Sequence, residues 1–431
     1  MKITYNYQKI AISNIFQQII SILTTIILIK YIGSELYSEI VYFLTIGNTL
    51  IIFATCWINP FFIREGTLEY EKNKNLNESI VSILISIIIY FLLLVISKNL
   101  VIEKIINIYE FFWLLIIFTL GQVISIISKN TFRIKKEINS YCMLIIFEKL
   151  FFFICIVIYF SINQSNSLSD ILFIIAISYL LIGLIFFFKI KENILLRLPN
   201  RFFFKKYLLN SFYIFIATLV VYFSTFEYLI IIIANTSFSK IITYMSIAIM
   251  VSNIAYMPIY WFEQLTNPKI NIIFNNQENN KKVNYYKNIV LPILNLTLLI
   301  QLSLTLFLYH TNILNIIFDN TFSNYINLIV IIFSTCLTKS IDTLFSMPLL
   351  AKRKERKIML FNITRTIFFL SMFFLYKENV MKLIYVYLYL NLIQNLFYIF
   401  ESKKIVNKYN FLNEIILVIL NLFFVSTLIF K

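Results

Sequence analysis

Residues 170–189 read DILFIIAISYLLIGLIFFFK, and this stretch decides the fold class. Eighteen consecutive uncharged residues, nearly all of them apolar, lie between Asp170 and Lys189. A helix needs about 20 such residues to cross the hydrocarbon core of a bilayer. Strands of outer-membrane barrels instead alternate in polarity over about 10 residues. The stretch therefore predicts a transmembrane α-helix.

Similar apolar runs recur along the whole chain. A run at 411–430 is long enough to be a thirteenth span, with an interfacial helix as the alternative. The sequence thus predicts an all-α integral membrane protein with about twelve transmembrane helices. The twelve predicted spans are residues 10–31, 39–63, 79–97, 110–128, 141–161, 170–189, 208–234, 241–262, 288–310, 324–350, 358–376 and 381–400.

The composition excludes most soluble classes of protein. Of 431 residues, 60% are hydrophobic and only 13% are charged, about half the usual charged share. The four cysteines lie in apolar runs without CxxC spacing, and the single histidine, His310, has no metal-ligand motif around it. No GxxxxGK[ST], HExxH or GxSxG motif is present. We therefore expect no cofactor, no metal site and no enzymatic activity.

The net charge of +16 reports orientation. If the N-terminus is cytoplasmic, 27 of the 37 Lys and Arg residues fall in cytoplasmic segments, 7 fall outside and 3 lie within spans. Cationic loops are retained on the cytoplasmic side during insertion, so this bias predicts a cytoplasmic N-terminus. The acids divide as 11, 7 and 3, which places the whole excess on the cytoplasmic face. Because the basic residues are dispersed among turns, no nucleic-acid partner is expected.

A weak internal symmetry relates the two halves at an offset of six spans. Basic turns, KNTFRIKKE and AKRKERK, follow spans 4 and 10, and the two long hydrophilic loops follow spans 2 and 8. Two such lobes around a central cavity form a recurrent transporter plan. We predict an N-terminal six-helix lobe at 1–190, a cytoplasmic interfacial linker at 191–206, a C-terminal six-helix lobe at 207–400 and an extra hydrophobic segment at 401–431.

Six ionisable residues lie within the predicted spans. Each costs about 2.5–3.5 kcal/mol on insertion scales, so such groups normally face a bundle interior or a wet cavity. Lys339 and Asp342 are three residues apart and also fit a local ion pair. Alternatively, Glu148 lies near the cytoplasmic end of its helix, where the long side chains of neighbouring cations extend to the interface and hold it. The six residues are Glu148, Lys149, Glu227, Lys339, Asp342 and Arg365.

Helix packing is expected to use side-chain hydrogen bonds more than small residues. Polar residues such as Asn14, Gln17 and Gln122 recur within spans and suit contacts between helices. With only five glycines in the chain, tight packing through GxxxG motifs is not expected.

Residues 31–38, YIGSELYS, and the apolar span that follows them to Arg64-Glu65 carry a family resemblance. They resemble the "LG-x-x-x-YG … R-E" region of Wzx-type polysaccharide flippases, in the multidrug/oligosaccharidyl-lipid/polysaccharide exporter superfamily. Ser38 replaces the usual glycine after Tyr37, and Asn267-Pro268-Lys269 and residues 316–319 resemble family segments more loosely. Length, span number, basic inner loops and small outer loops extend the resemblance over nearly the whole chain.

The resemblance implies a flippase that moves undecaprenyl-diphosphate-linked oligosaccharides, as O-antigen or capsule repeat units, across the bacterial inner membrane. It implies substrate-binding roles for Lys149, Lys339 and Arg365, whose charges would offset the diphosphate. Glu227, Asp342 and Glu148 would carry a coupling H⁺ or Na⁺. Implied partners are the lipid-linked oligosaccharide, membrane lipids, a polysaccharide polymerase and a chain-length regulator.

Three alternatives have different sequence signatures. A drug/cation antiporter of the same superfamily would share the architecture, but span 1 lacks a distinctive acidic cluster. A glycan polymerase of the same pathway would need a large outer loop with catalytic arginines, and the predicted outer loops are short. A membrane scaffold would not need buried charges on four helices.

Overall fold

The computed structural model describes residues 2–55, 59–96, 98, 111–162, 167–190, 216, 219–220, 222, 230, 239–275, 279–310, 341–352, 354–376, 380–406 and 409–429. Every regular element within these ranges is helical. The chain divides into two compact units, an N-terminal unit (Met1–Leu219) and a C-terminal unit (Val220–Lys431).

The N-terminal unit is built around two extensively packed helices, α4 and α6. Helix α5 packs on α6, and α1 packs on both α4 and α5. The described helices of this unit are α1 (Lys2–Thr55), α2 (Asn59–Asn73), α3 (Asn77–Ile96), α4 (Phe112–Lys135), α5 (Ile138–Ile162) and α6 (Leu168–Ile190).

The C-terminal unit packs α7 on α9, α11 on α12, and α12 on α13. Its described helices are α7 (Ser239–Asn275), α8 (Asn279–Tyr285), a π-helical turn (Tyr286–Val290), α9 (Leu291–His310), α10 (Ile341–Ala351), α11 (Glu355–Tyr376), α12 (Val380–Lys403) and α13 (Leu412–Ile429).

Most predicted spans correspond to helices. The predictions at 79–97, 110–128, 141–161, 170–189, 241–262, 288–310, 358–376, 381–400 and 411–430 each begin within three residues of an observed helical start. Six helices in the described ranges are long and apolar enough to cross a membrane. The predicted span at 208–234 and most of the one at 324–350 lie largely outside these ranges.

Gly33 breaks α1 into two helices. Its φ of 79° and ψ of 167° belong to a region that essentially only glycine occupies. The Tyr37 hydroxyl donates to Thr25 Oγ1 at 3.5 Å, although 12 residues of straight helix would separate the two by about 18 Å. The chain therefore reverses direction at Gly33, and α1 consists of two helices that pack side by side.

Two glycines bring α4 and α6 into backbone contact. A Cβ atom on Gly121 would lie 2.6 Å from the backbone nitrogen of Leu180, and one on Gly183 would lie 2.6 Å from the carbonyl oxygen of Gly121. This close approach does not use a GxxxG motif. One glycine on each of two helices is enough, because both face the same crossing point.

Candidate functional site

Glu148 is held in a compensated charge cluster between α4 and α5. Lys129 Nζ lies 2.5 Å from Glu148 Oε2, and Ser125 Oγ donates to Oε1 at 3.2 Å. Glu148 is buried, whereas the Lys129 side chain is 20% exposed. Helix α4 extends to Lys135, seven residues beyond the predicted span, which places Lys129 within the helix and opposite the carboxylate. The buried acid is therefore neutralised by its neighbour.

The adjacent residue, Lys149, reaches α6. Its Nζ donates to the Tyr179 hydroxyl at 2.5 Å. The same Nζ lies 5.0 Å from the ring centroid, so the ammonium is near the hydroxyl end of the ring and not over its face. The contact is a hydrogen bond more than a cation–π interaction. Phe118 packs edge-on against Tyr179 at 5.3 Å between centroids and fixes the ring.

Arg365, on α11, is the described residue of the C-terminal unit among the three cations that lie within predicted spans. It is buried at 6% exposure, and both terminal nitrogens donate to amides on α12. Nη1 donates to Gln394 Oε1, and Nη2 donates to Asn391 Oδ1 at 2.5 Å. The Tyr387 ring lies 5.8 Å from the guanidinium carbon. Neutral side chains thus solvate a full positive charge inside the helix pair.

We call Arg365, its α12 partners Asn391 and Gln394, and Asn362, one turn earlier on α11, the Arg365 cluster. Three of its polar atoms have no hydrogen-bond partner. They are Arg365 Nε, Asn391 Nδ2 and Asn362 Oδ1. A buried polar atom left unsatisfied costs about 1–3 kcal/mol. Two orphaned donors and one acceptor on a cationic platform match a ligand that carries both anionic oxygens and hydroxyl groups.

The cluster extends to Asp342 through Tyr398. Gln394 Nε2 donates to the Tyr398 hydroxyl at 3.2 Å, and Asp342 on α10 lies within electrostatic range of that hydroxyl. Two residues singled out from sequence, Arg365 and Asp342, therefore converge on one tyrosine. Glu148 and Lys149 belong to the other unit, and Glu227 and Lys339 lie outside the described residues.

Sequence reasoning missed the neutral partners of these charges. Asn391, Gln394, Asn395 and Tyr398 recur at positions i, i+3, i+4 and i+7 of an otherwise apolar helix, which marks one helical face. That spacing was a usable signal. Lys129 and Tyr179 carried no comparable signal, because their partners are fixed by packing between helices. Within the described ranges no group of three or more His, Cys, Asp or Glu residues is placed to hold a metal ion.

Comparison with known proteins gives the fold. No family model and no curated protein sequence matches the chain. Solved structures do match over almost the full length. An outward-facing multidrug resistance MATE family transporter of the MOP superfamily aligns with a TM-score of 0.66 and 12% identity, covering 98% of this chain and 96% of the other.

Two further structures agree with that assignment. The MATE multidrug transporter DinF-BH gives a TM-score of 0.69 at 10% identity, covering 94% of this chain and 96% of the other. An inward-facing MATE transporter of the MOP superfamily gives 0.65 at 12% identity, covering 95% of each chain. The predicted all-α membrane-transporter architecture is confirmed: the chain has the fold of the MATE transporters of the MOP superfamily.

Proposed function

We propose that this protein is a flippase that carries undecaprenyl-diphosphate-linked oligosaccharide repeat units across the bacterial inner membrane. The observation that carries the proposal is the Arg365 cluster, a buried guanidinium surrounded by amides with unpartnered polar atoms. The fold of the MATE transporters supports membrane transport as the general activity.

The chemistry of the Arg365 cluster suits such a head group. A diphosphate offers anionic oxygens that accept from Arg365 Nε and Asn391 Nδ2, and a sugar hydroxyl can donate to Asn362 Oδ1. Lys149 and Lys339 would supply further positive charge along the path. No bond of the substrate is made or broken in this scheme, because binding and release alone move the head group.

Ion coupling is assigned to Glu148, Asp342 and Glu227. Protonation of Glu148 would remove its attraction for Lys129 and free that ammonium, so the pair is suited to a two-state response. Asp342 would act on the Arg365 cluster through Tyr398. The coupling ion is H⁺ or Na⁺.

Alternating access is the proposed mechanism. Solved transporters of similar fold include outward-facing and inward-facing conformations, which supports an exchange between two such states. The lipid tail would stay in the bilayer while the head group crosses. We place the N-terminus in the cytoplasm, with membrane lipids, a polysaccharide polymerase and a chain-length regulator as partners.

Drug/cation export is the second candidate function. It is favoured by the solved multidrug transporters that share the fold. Glu148, the buried acid of the N-terminal unit that was singled out from sequence, is already neutralised by Lys129 and so offers little free charge to a cationic drug. The buried positive charge of Arg365 would repel such a substrate. The Arg365 cluster therefore favours an anionic head group.

The test is complementation of a deletion strain, with lipid-linked repeat units and surface polysaccharide measured in the same cells. Arg365→Ala is expected to lower export at least tenfold, because the Nε donor offered to the diphosphate is lost and one charge-assisted hydrogen bond contributes about 1.5–3 kcal/mol. Single lipid-linked units should accumulate. Arg365→Lys should restore part of the activity, since lysine keeps the charge but loses the planar fork.

Arg356→Ala is the matched control. Arg356 lies on the same helix but is exposed, so its loss removes one cation without touching the cluster. It should complement fully. Normal surface polysaccharide in the deletion strain, together with increased sensitivity to cationic drugs, would reject the flippase and support the antiporter.

A further inference from the structure

Glu414 is a buried carboxylate of the C-terminal unit. It lies in the first turn of α13 and is fully shielded from solvent. Its Oε1 accepts a hydrogen bond from the Tyr409 hydroxyl at 2.8 Å, whereas Oε2 has no partner. None of the ion pairs formed by the described residues includes Glu414. One carboxylate oxygen therefore stands unsatisfied in the interior.

The surroundings of Glu414 are aromatic. The Tyr409 ring stacks on Tyr286 at 5.7 Å between centroids, and Phe411 packs edge-on against both rings. Tyr286 is fully buried. We call Glu414, Tyr409, Tyr286 and Ser402 the Glu414 cluster. The Ser402 hydroxyl lies next to that of Tyr286.

Other groups near the Glu414 cluster do not compensate the carboxylate. On α12, the neighbouring Glu401 faces Lys354, Lys357 and Lys404 and is paired with them. On α10, the residue that contacts the aromatic rings is Phe345. The Tyr285 hydroxyl on α8 donates to the Leu344 carbonyl and is occupied. The groups that face Glu414 are thus a hydroxyl, aromatic rings and its own backbone N–H, and none of these is a cation.

Two opposing influences act on this carboxyl. The N-terminal turn of α13 presents the positive end of the helix dipole, which favours the carboxylate. Loss of solvent among aromatic rings favours the neutral acid. A carboxyl that is exposed to both effects gains and loses its proton readily. A proton on Oε2 would remove the buried charge and give Oε2 a hydrogen to donate to a neighbouring hydroxyl.

We propose that the Glu414 cluster is a proton-binding site of the C-terminal unit, with Oε2 of Glu414 as the atom that binds and releases the proton. A proton suits the site better than a metal ion, which needs several more oxygen ligands than these close-packed side chains supply. The further assignment of this proton as the coupling ion rests on the transport function proposed above. Proton binding itself does not.

Infrared difference spectroscopy of the purified full-length protein in lipid nanodiscs, recorded between acidic and alkaline pH, tests the proton site. A protonated buried carboxyl gives its own C=O band, and we expect one such band to disappear as the pH rises. Glu414→Gln should lose this band. Glu71→Gln, which changes an exposed glutamate on α2, should retain it.

Tyr409→Phe gives a second readout that does not require loss of the carboxyl. The C=O group formed at Oε1 would lose its donor, so the band should move to higher wavenumber. A band unchanged by Glu414→Gln, or unmoved by Tyr409→Phe, would overturn the proposal. A band present at every pH would overturn it as well, because a permanently neutral acid binds no exchangeable proton.

The coupling role has a separate measurement. In proteoliposomes with an imposed pH gradient, Glu414→Gln should weaken the dependence of lipid-linked-sugar movement on the gradient, with the remaining dependence carried by Glu148, Asp342 and Glu227. Arg365→Ala should lose transport yet keep the Glu414 band. A chain that shows the band but moves no lipid-linked sugar would retain the proton site and reject the flippase, so the two failures are distinguishable.

Discussion

The two units solve the packing of membrane-type helices by different means. All five glycines of the chain, at positions 33, 47, 66, 121 and 183, fall in the N-terminal unit, and none occurs after residue 183. There, α4 and α6 meet backbone to backbone. The described part of the C-terminal unit has no such glycine crossing, and six large rings form one connected cluster there: Phe274, Tyr285, Tyr286, Phe345, Tyr409 and Phe411.

The C-terminal unit also contains a π-helical turn beside a proline. Pro292 in α9 has no N–H to donate, and its ring conflicts with a carbonyl one turn earlier. The π-helical turn at Tyr286–Val290 precedes it, with the Leu291 N–H bonded to Tyr286 O five residues back. Such turns recur at functional sites. Here the turn carries Tyr286 into the Glu414 cluster.

The buried cations differ in the same way. Lys149 and Tyr179 are 30 residues apart on consecutive helices, and Arg365 and Gln394 are 29 apart on consecutive helices. Lys149 is half-buried beside a neutralised acid, whereas Arg365 is buried among neutral amides. In the function proposed above, this difference in compensation favours Arg365 over Lys149 as the group that binds the anionic head group.

Breaking the charge pair of the N-terminal unit should have the largest effect on stability. Lys129→Met leaves the buried Glu148 without its hydrogen-bonded cation and with only the charge of the adjacent Lys149 nearby. Removing one partner of a buried pair costs about 3–5 kcal/mol. Glu148→Gln should cost less, because the partly exposed Lys129 can turn toward water. Thermal unfolding in detergent measures both.

The double variant Lys129→Met/Glu148→Gln serves as the control for that pair. It removes both charges together, so it should unfold at a higher temperature than Lys129→Met alone. Equal unfolding temperatures for Lys129→Met and Glu148→Gln would show that Lys149 compensates the carboxylate as well as Lys129 does, and would contradict the assignment of Lys129 as its main partner.

Filling the glycine crossing should have an intermediate effect. Gly183→Ala places a Cβ against the carbonyl oxygen of Gly121, and overpacking of this kind costs about 1–3 kcal/mol. Gly66→Ala is matched to it, since its Cβ would meet side-chain ends, with Ile134 Cδ1 at 3.2 Å. Alanine also favours helix by up to about 1 kcal/mol.

Gly183→Ala should therefore lower the unfolding temperature, whereas Gly66→Ala should raise it or leave it unchanged. The unfolding temperature in detergent compares them. A Gly183→Ala variant as stable as the parent chain would mean that α4 and α6 separate easily, and that backbone contact does not distinguish the N-terminal unit.

The smallest effect is expected at Glu401, at the end of α12. Burial works to raise its pKa, but hydrogen bonds from Lys404 and Lys357 and the charge of Lys354 outweigh burial and lower the pKa to about 2. Glu401→Gln should cost about 1 kcal/mol, because Lys357 and Lys404 are more than half exposed and such pairs are weak.

The sign of the pH dependence follows from that lowered pKa. The stabilisation by Glu401 is complete above the ordinary value of 4.5 and is lost as the pH falls from there toward 2. Unfolding measured at pH 7 and pH 3 should show the parent and Glu401→Gln converging at the lower pH. A constant difference between them would contradict the assignment.

The helices were predictable because membrane insertion is a local property. A run of apolar residues crosses hydrocarbon as a helix whatever surrounds it, since every backbone group must be bonded within the segment. Starts were therefore predicted within a few residues for α3 to α6 and for α11 to α13. The end of α4 was predicted seven residues too early, because Lys129 and its neighbours lower the local hydropathy while remaining helical.

The sequence by itself determined which residues were costly to bury, and it singled out Glu148, Lys149, Asp342 and Arg365 among the described ones. Tertiary structure alone decided their partners. Lys129 is 19 residues from Glu148, and Asn391 is 26 residues from Arg365. Glu414 looked like a cytoplasmic loop acid, but the first turn of α13 buries it among aromatic rings. The free energy needed to bury a charged side chain depends on the chemistry of that residue. The hydrogen bonds and opposite charges that offset it depend on which helix packs against it.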